Sequence, residues 1–258
     1  VVFLAPIFII LFNSFKGKLY ISDAPFKLPT AETFSGLQNY IDGLSKTGFL
    51  SAFGWSIFIT FFSTIVIVLF TAMTGWYITR SKTKVSTSLY FIFVFSMIVP
   101  FQMVMFTMSK VANMLNLDNP VGLIVLYLGF GAGLSIFMFS GFVKSIPIDI
   151  EEAALIDGCN PIKTFFLIVL PLLKPICITV AILNVMWIWN DYLLPSLVLK
   201  SDYKTIPMAV QYLRGGYGAI DMGAMMAVLV LAIIPIIIFY LTCQKYIIEG
   251  VAAGAVKG

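Results

Sequence analysis

EEAALIDGCNPIKTFFLIVLPLLKP, residues Glu151 to Pro175, is a charged, helix-rich patch set between two long apolar runs. A helix beginning near Asp149 carries Asp149, Glu151 and Glu152 in its first turn, where carboxylates meet the positive end of the helix dipole. Ala153, Ala154, Leu155 and Ile156 continue it with good helix formers. Gly158 stops it, and Asn160 and Pro161 follow in the usual order of helix-stop signals. A helix of about two to three turns is too short to cross a bilayer, which takes roughly 20 residues, and this one is too acidic to lie in it. Beyond the turn, Ile162 to Leu170 starts a second, apolar helix that leads to Pro171 and Pro175. A short helix held out of the membrane, with small alanines that allow close approach, suits docking in a groove of a soluble partner. Its plain alternative is an ordinary interfacial loop helix.

The rest of the chain explains why such a helix stands out. Of 258 residues, 60% are hydrophobic and only 11% charged, against about 25% charged in soluble domains. Thr47–Thr79, Val85–Ser109, Asn119–Val143 and Met222–Gln244 contain no charged residue, and each exceeds the roughly 20 residues needed to span the hydrocarbon core. Pro175–Val198 is broken only by Asp191, and Val1–Phe15 reads as the outer part of a first helix that has lost an N-terminal piece. Backbone amides in lipid must pair within their own segment, so these runs are helices. The expected fold is an all-α integral membrane protein with six transmembrane helices, one domain over residues 1–258. Lys and Arg divide evenly between the two sides, but the compact turn Arg80–Lys84, with three basic residues, favours the cytoplasm.

Several function classes drop out. The net charge of +4 is not gathered into a basic stripe, so nucleic acid is not an expected partner. There is no histidine, and Cys159, Cys177 and Cys243 are widely spaced; neither a metal site nor a disulfide framework is expected. The chain lacks G-x-x-x-x-G-K-[ST] and any nucleophile triad, so it is not expected to be an enzyme or to bind nucleotide itself.

The order Glu152, Ala153, Ala154, three residues, Gly158, nine residues, Ile168, one residue, Leu170, Pro171 resembles the E-A-A-x-x-x-G-x9-I-x-L-P loop of binding-protein-dependent ABC importer permeases. "MIVPFQMVMFTMSKV", "LNLDNPVGLI", "WIWNDYLLP" and the closing "QKYIIEGVAAGAVKG" are similar to the carbohydrate branch, in the style of the smaller maltose-type permease. Cys159 departs from the expected alanine. The resemblance implies the type I ABC importer permease fold in a bacterial cytoplasmic membrane, with residues 145–170 as a cytoplasmic coupling loop. Glu152, Ala153, Ala154, Leu155, Asp157 and Gly158 would then contact the ATPase. It also implies a second homologous permease, two cytoplasmic ATPase subunits that bind ATP and Mg, an extracellular solute-binding protein and a sugar substrate. The tail from Gly254 to Gly258 would reach the ATPase pair, or it is a frayed end.

Asp191 is the one acid inside an apolar run, and an acid at the bilayer centre costs about 2.5–3.5 kcal/mol on the insertion scale. On a continuous helix Asn184 and Asp191 share a face about 10 Å apart, with Trp187 between them. Amide, carboxylate and aromatic plane suit a sugar path; equally, such polar groups tie helices together. Gln102, beside the kink expected at Pro100, is open to the same two readings. Tyr203, Gln211, Tyr212, Arg214 and Tyr217 lie in an outer loop, which the resemblance places against the binding protein and which otherwise only covers helix ends. A rival of another class is a gradient-driven transporter or channel that uses Asp191 as its ion site without an ATPase.

Overall fold

The charge-free runs become helices in the computed structural model, which describes residues 4–213 and 221–255. In chain order the helices are α1 (Ala5–Asn13), α2 (Lys18–Asp23), α3 (Gln38–Thr47), α4 (Phe49–Ser81), α5 (Lys84–Ser96), α6 (Phe101–Met114), α7 (Pro120–Val143) and α8 (Asp149–Ile156). They are followed by α9 (Pro161–Leu172), α10 (Lys174–Asn190), α11 (Leu193–Val198), α12 (Ile206–Tyr212) and α13 (Met222–Ala255). Apart from one isolated bridge between Lys16 and Phe34, the named elements among the described residues are all helical.

Among the described residues three helices are long and apolar enough to cross a membrane: α4, α7 and the Met222–Tyr246 part of α13. Two bent pairs qualify together, α5 with α6 at 106° and α9 with α10 at 77°, which brings the spans among the described residues to five. The sixth expected span corresponds to α1, whose nine residues are too few to cross. The kink expected at Pro100 is a full break: Val85–Ser109 is not one helix. Pro100 has no amide to donate and disfavours helical backbone in Val99 before it, and it sits extended at φ −62°, ψ 134° ahead of α6. Within α9, Phe165–Val169 widens into a π-helix just before Pro171, the kind of local unwinding that accompanies interrupted helix ladders. α5 and α7 begin on side-chain caps, Thr83 with Ser86 and Asn119 with the amides of Val121 and Gly122.

The chain divides into two compact units, one of Val1–Phe58 with Asn190–Thr242 and one of Ile59–Trp189 with Cys243–Gly258. In the first, buried Asn39 donates to the carbonyls of Ser14 (2.8 Å) and Lys16 (2.7 Å), and a side chain at Gly223 would collide with Asn39. Lys46 joins the end of α3 to the start of α13 through Asp221 at 2.6 Å, and Ser56 accepts the Ile206 amide at 2.8 Å. In the second, Ala72, Phe139, Val143, Ile146, Phe165 and Val169 form part of a buried cluster. Here α4 and α7 cross closely, because a Cβ at Gly75 would lie 2.8 Å from that of Phe139 and 3.2 Å from the Ser140 nitrogen. Small residues at such crossings let backbones approach in lipid, where van der Waals packing does much of the work.

Candidate functional site

The three carboxylates Asp149, Glu151 and Glu152 do occupy the first turn of α8. The helix closes as a Schellman turn: the Gly158 amide donates to Leu155 O at 3.1 Å and the Cys159 amide to Ala154 O at 2.9 Å. Gly158 has φ +82°, a conformation that L side chains adopt at a cost. Asn160 then accepts the Lys163 amide at 2.8 Å, and Pro161 opens α9.

The two faces of α8 differ. Inward, Glu151 is 6% exposed; its Oε1 accepts from Arg80 Nε (2.9 Å) and Nη2 (2.7 Å), and its Oε2 accepts from Trp76 Nε1 (2.9 Å). Arg80 Nη2 also donates to Ile146 O at 2.9 Å, on the segment entering the loop. A buried carboxylate held by a guanidinium fork and an indole has its polar demands met, the condition under which such a charge is tolerated. Ala154 is buried on the same side. Outward, Glu152, Ala153, Leu155, Ile156, Asp157 and Gly158 are exposed. Leu155 and Ile156 are 53% and 86% exposed, and Ile162 follows at 67%. Five of the six expected coupling residues therefore share the open side, and Ala154 packs inward. None of the ion pairs among the described residues uses Glu152.

A second polar feature lies in the same unit. A cavity of about 290 Å³ is lined by Met97, Gly131, Ser135, Asn184 and Trp187 among others. Asn184 is 7% exposed; its Nδ2 donates to Val180 O at 2.8 Å and to Ser135 Oγ at 3.4 Å, and its Oδ1 lies on the side of Gly131. A Cβ on Gly131 would come to 3.0 Å from that oxygen and 2.9 Å from Ile67 Cδ1. Trp187 stands edge-on to Tyr127 at 5.4 Å. Asn184 thus both ties α10 to α7 and lines a hollow.

The chain as a whole is similar to known proteins. The family described as binding-protein-dependent transport system inner membrane component matches residues 68–252. The chain belongs to that family. It is 40% identical over 98% of its length to the probable starch degradation products transport system permease protein AmyC of Thermoanaerobacterium thermosulfurigenes, covering 92% of that protein. Identity is 36% over 100% of the chain to the multiple sugar-binding transport system permease protein MsmG of Streptococcus mutans, 93% of which is covered. In the crystal structure of a bacterial ABC transporter involved in the import of the acidic polysaccharide alginate, one chain superimposes with a TM-score of 0.78 at 26% identity, over 94% of this chain and 90% of that one. The matched relatives stand in the carbohydrate branch of ABC permeases, which are membrane subunits rather than enzymes. This permease is accordingly a multi-pass protein of the cytoplasmic membrane.

The permease does not carry Asp191 on the same helix as Asn184. α10 ends at Asn190, and Asp191 Oδ1 accepts the amides of Leu193 (2.9 Å) and Leu194 (3.4 Å), so the spacing expected on a continuous helix fails at that point. An acid followed by Tyr192 and Pro195 favours this turn, because a short carboxylate side chain competes with helix hydrogen bonding. Gln102 is exposed in the first turn of α6 and is not among the cavity-lining residues. In the outer loop Tyr203 meets Trp55 edge-on at 5.1 Å, Gln211 is half-buried, and Tyr212, 62% exposed, lies beneath Lys204 Nζ at 4.5 Å from its ring. Arg214, Tyr217, Val256, Lys257 and Gly258 lie outside the described residues, and Gly254 and Ala255 are described only as the end of α13. Sequence reasoning missed Glu151, Trp76, Arg80 and Ser135 as partners. Arg80 was legible only as part of the basic turn that follows a long apolar run.

Proposed function

We propose that the permease forms part of the translocation path of an ATP-driven carbohydrate importer, of the oligosaccharide class, and is coupled to its motor through α8. The observation that carries this reading is the division of α8 into a buried, charge-clasped face and an open face of Glu152, Ala153, Leu155, Ile156 and Asp157. A helix outside the apolar spans that exposes Leu155 and Ile156, with Ile162 exposed just beyond its closing turn, has a surface for a protein partner. The working assembly is this subunit with a second homologous permease, two cytoplasmic ATPases and an extracellular solute-binding protein. ATP and Mg belong to the ATPases, and the permease itself binds no cofactor. Closure of the ATPase pair moves α8 and turns the bundle between inward- and outward-open states. Asn184 and Trp187 offer the solute an amide and an aromatic edge, and the segment holding Tyr203, Gln211 and Tyr212 faces the binding protein. Sugar as cargo is supported by the relatives, whose names specify starch degradation products, multiple sugars and melibiose, raffinose and stachyose.

The test is Glu152→Lys in the assembled complex. The exposed carboxylate takes part in none of the ion pairs among the described residues, so the variant should fold and dock the binding protein as the wild type does, yet lose ATP-dependent transport. Normal transport by an assembled Glu152→Lys complex would remove α8 as the coupling element.

A further inference from the structure

α4 grips the chain on every side of the loop that carries α8. Arg80 holds Ile146 O before the helix and Glu151 within it, and Trp76 holds Glu151 while its ring packs at 5.5 Å against Phe165 after it. One turn before Arg80, Gly75 brings α4 into backbone contact with α7 at Phe139 and Ser140. Two turns further back along α4, Ile67 meets Gly131 of α7, which borders the Asn184 cavity. The side chains of Arg80 and Glu151 are only 19% and 8% exposed, so the fork is shielded from water and a weakened clasp leaves a charge without its partner.

We propose that Trp76, Arg80 and Glu151 are positioning residues that transmit the displacement of α8 to α4, and through the α4–α7 crossing to the Asn184 cavity. The inference rests on the coupling role proposed for α8. A lone surface pair would slip under load; a carboxylate fixed by three donors from two side chains, one of which also fixes the preceding backbone, moves with its helix. Glu151, which faces away from the partner surface, thus takes a role distinct from that of Glu152 beside it.

The test uses the purified complex of this permease with its second permease and ATPases, in which Cys159, Cys177 and Cys243 are replaced by alanine and Leu134→Cys, at another residue that lines the Asn184 cavity, reports on its wall. The rate of N-ethylmaleimide reaction at position 134 is measured with and without ATP and Mg. If the parent complex shows no ATP-dependent change, the coupling reading of α8 fails and the clasp with it. Given that change, Glu151→Gln should still hydrolyse ATP while the ATP-dependent difference shrinks roughly 2- to 30-fold, the range that changes along coupling networks reach. An assembled Glu151→Gln complex with an undiminished difference overturns the clasp but leaves the coupling loop standing. Where Glu151→Gln does not assemble, Trp76→Phe decides, since it removes the Nε1–H donor while keeping a smaller aromatic ring beside Phe165: a reduced difference supports the proposal, and an unchanged one refutes it.

Discussion

Gly158 tests whether the loop's shape or its bareness matters. A Cβ built on it meets nothing within 4 Å in this chain, so a side chain there costs only its backbone conformation at φ +82°. For an alanine that penalty is about 1–2 kcal/mol, whereas asparagine tolerates left-handed backbone far better. At about 1.4 kcal/mol per tenfold change, Gly158→Ala should open the Schellman turn roughly 5- to 30-fold more often, and Gly158→Asn clearly less, although asparagine is the larger residue. Hydrogen exchange at the Cys159 amide, which bonds to Ala154 O at 2.9 Å, reads this directly. The expected order of protection is wild type, then Asn, then Ala, and retention of the ATPase on purification should follow the same order. Wild-type protection in Gly158→Ala, or lower protection in Asn than in Ala, would refute the argument from backbone conformation.

Two further outcomes follow from particular contacts. On α7, Gly131→Ala should reduce solute uptake, because its Cβ crowds Asn184 Oδ1 and Ile67, whereas Gly129→Ala, which meets open space on the same helix, should leave uptake unchanged; equal effects in uptake assays would dissociate Asn184 from the path. Burial pushes the Asp221 carboxyl up, but hydrogen bonds from Lys46 and the Ala224 amide, with the charges of Lys46 and Lys18, hold it below its usual range. Its stabilising contribution is therefore present above the ordinary carboxylate pKa of about 3.9 and lost as pH falls through the lower folded value. Thermal unfolding should show wild type above Asp221→Asn at pH near 6, with the gap closing in acid; a gap constant with pH would count against the bridge. The gap should be small, since Lys46 is half exposed.

The helical membrane fold and the α8 turn were legible because each rests on local chemistry. Charge-free length makes a span in lipid whatever it packs against, and Asp149, Gly158, Asn160 and Pro161 each act within a turn of themselves. What resisted reading depended on competition or distance. Pro100 announced a kink, but a bend of 106° depends on what α5 and α6 pack against. Asp191 fitted a continuous helix by spacing and instead used its short side chain to start α11. Glu151 and Glu152 are indistinguishable as neighbouring acids in a helix's first turn. Only the fold, by bringing Arg80 across 71 residues of chain, makes one a buried partner and leaves the other exposed.

The decisive measurement is to tag this chain in its native host, extract it in mild detergent and identify the co-purifying proteins by mass spectrometry. A second permease of the same family together with an ATPase carrying a Walker motif is the expected result, and the accompanying binding protein would point to the sugar. The chain arriving alone or as a homodimer under several detergents, with no ATPase in any of them, would contradict an ATP-driven importer and leave the gradient-driven transporter in its place.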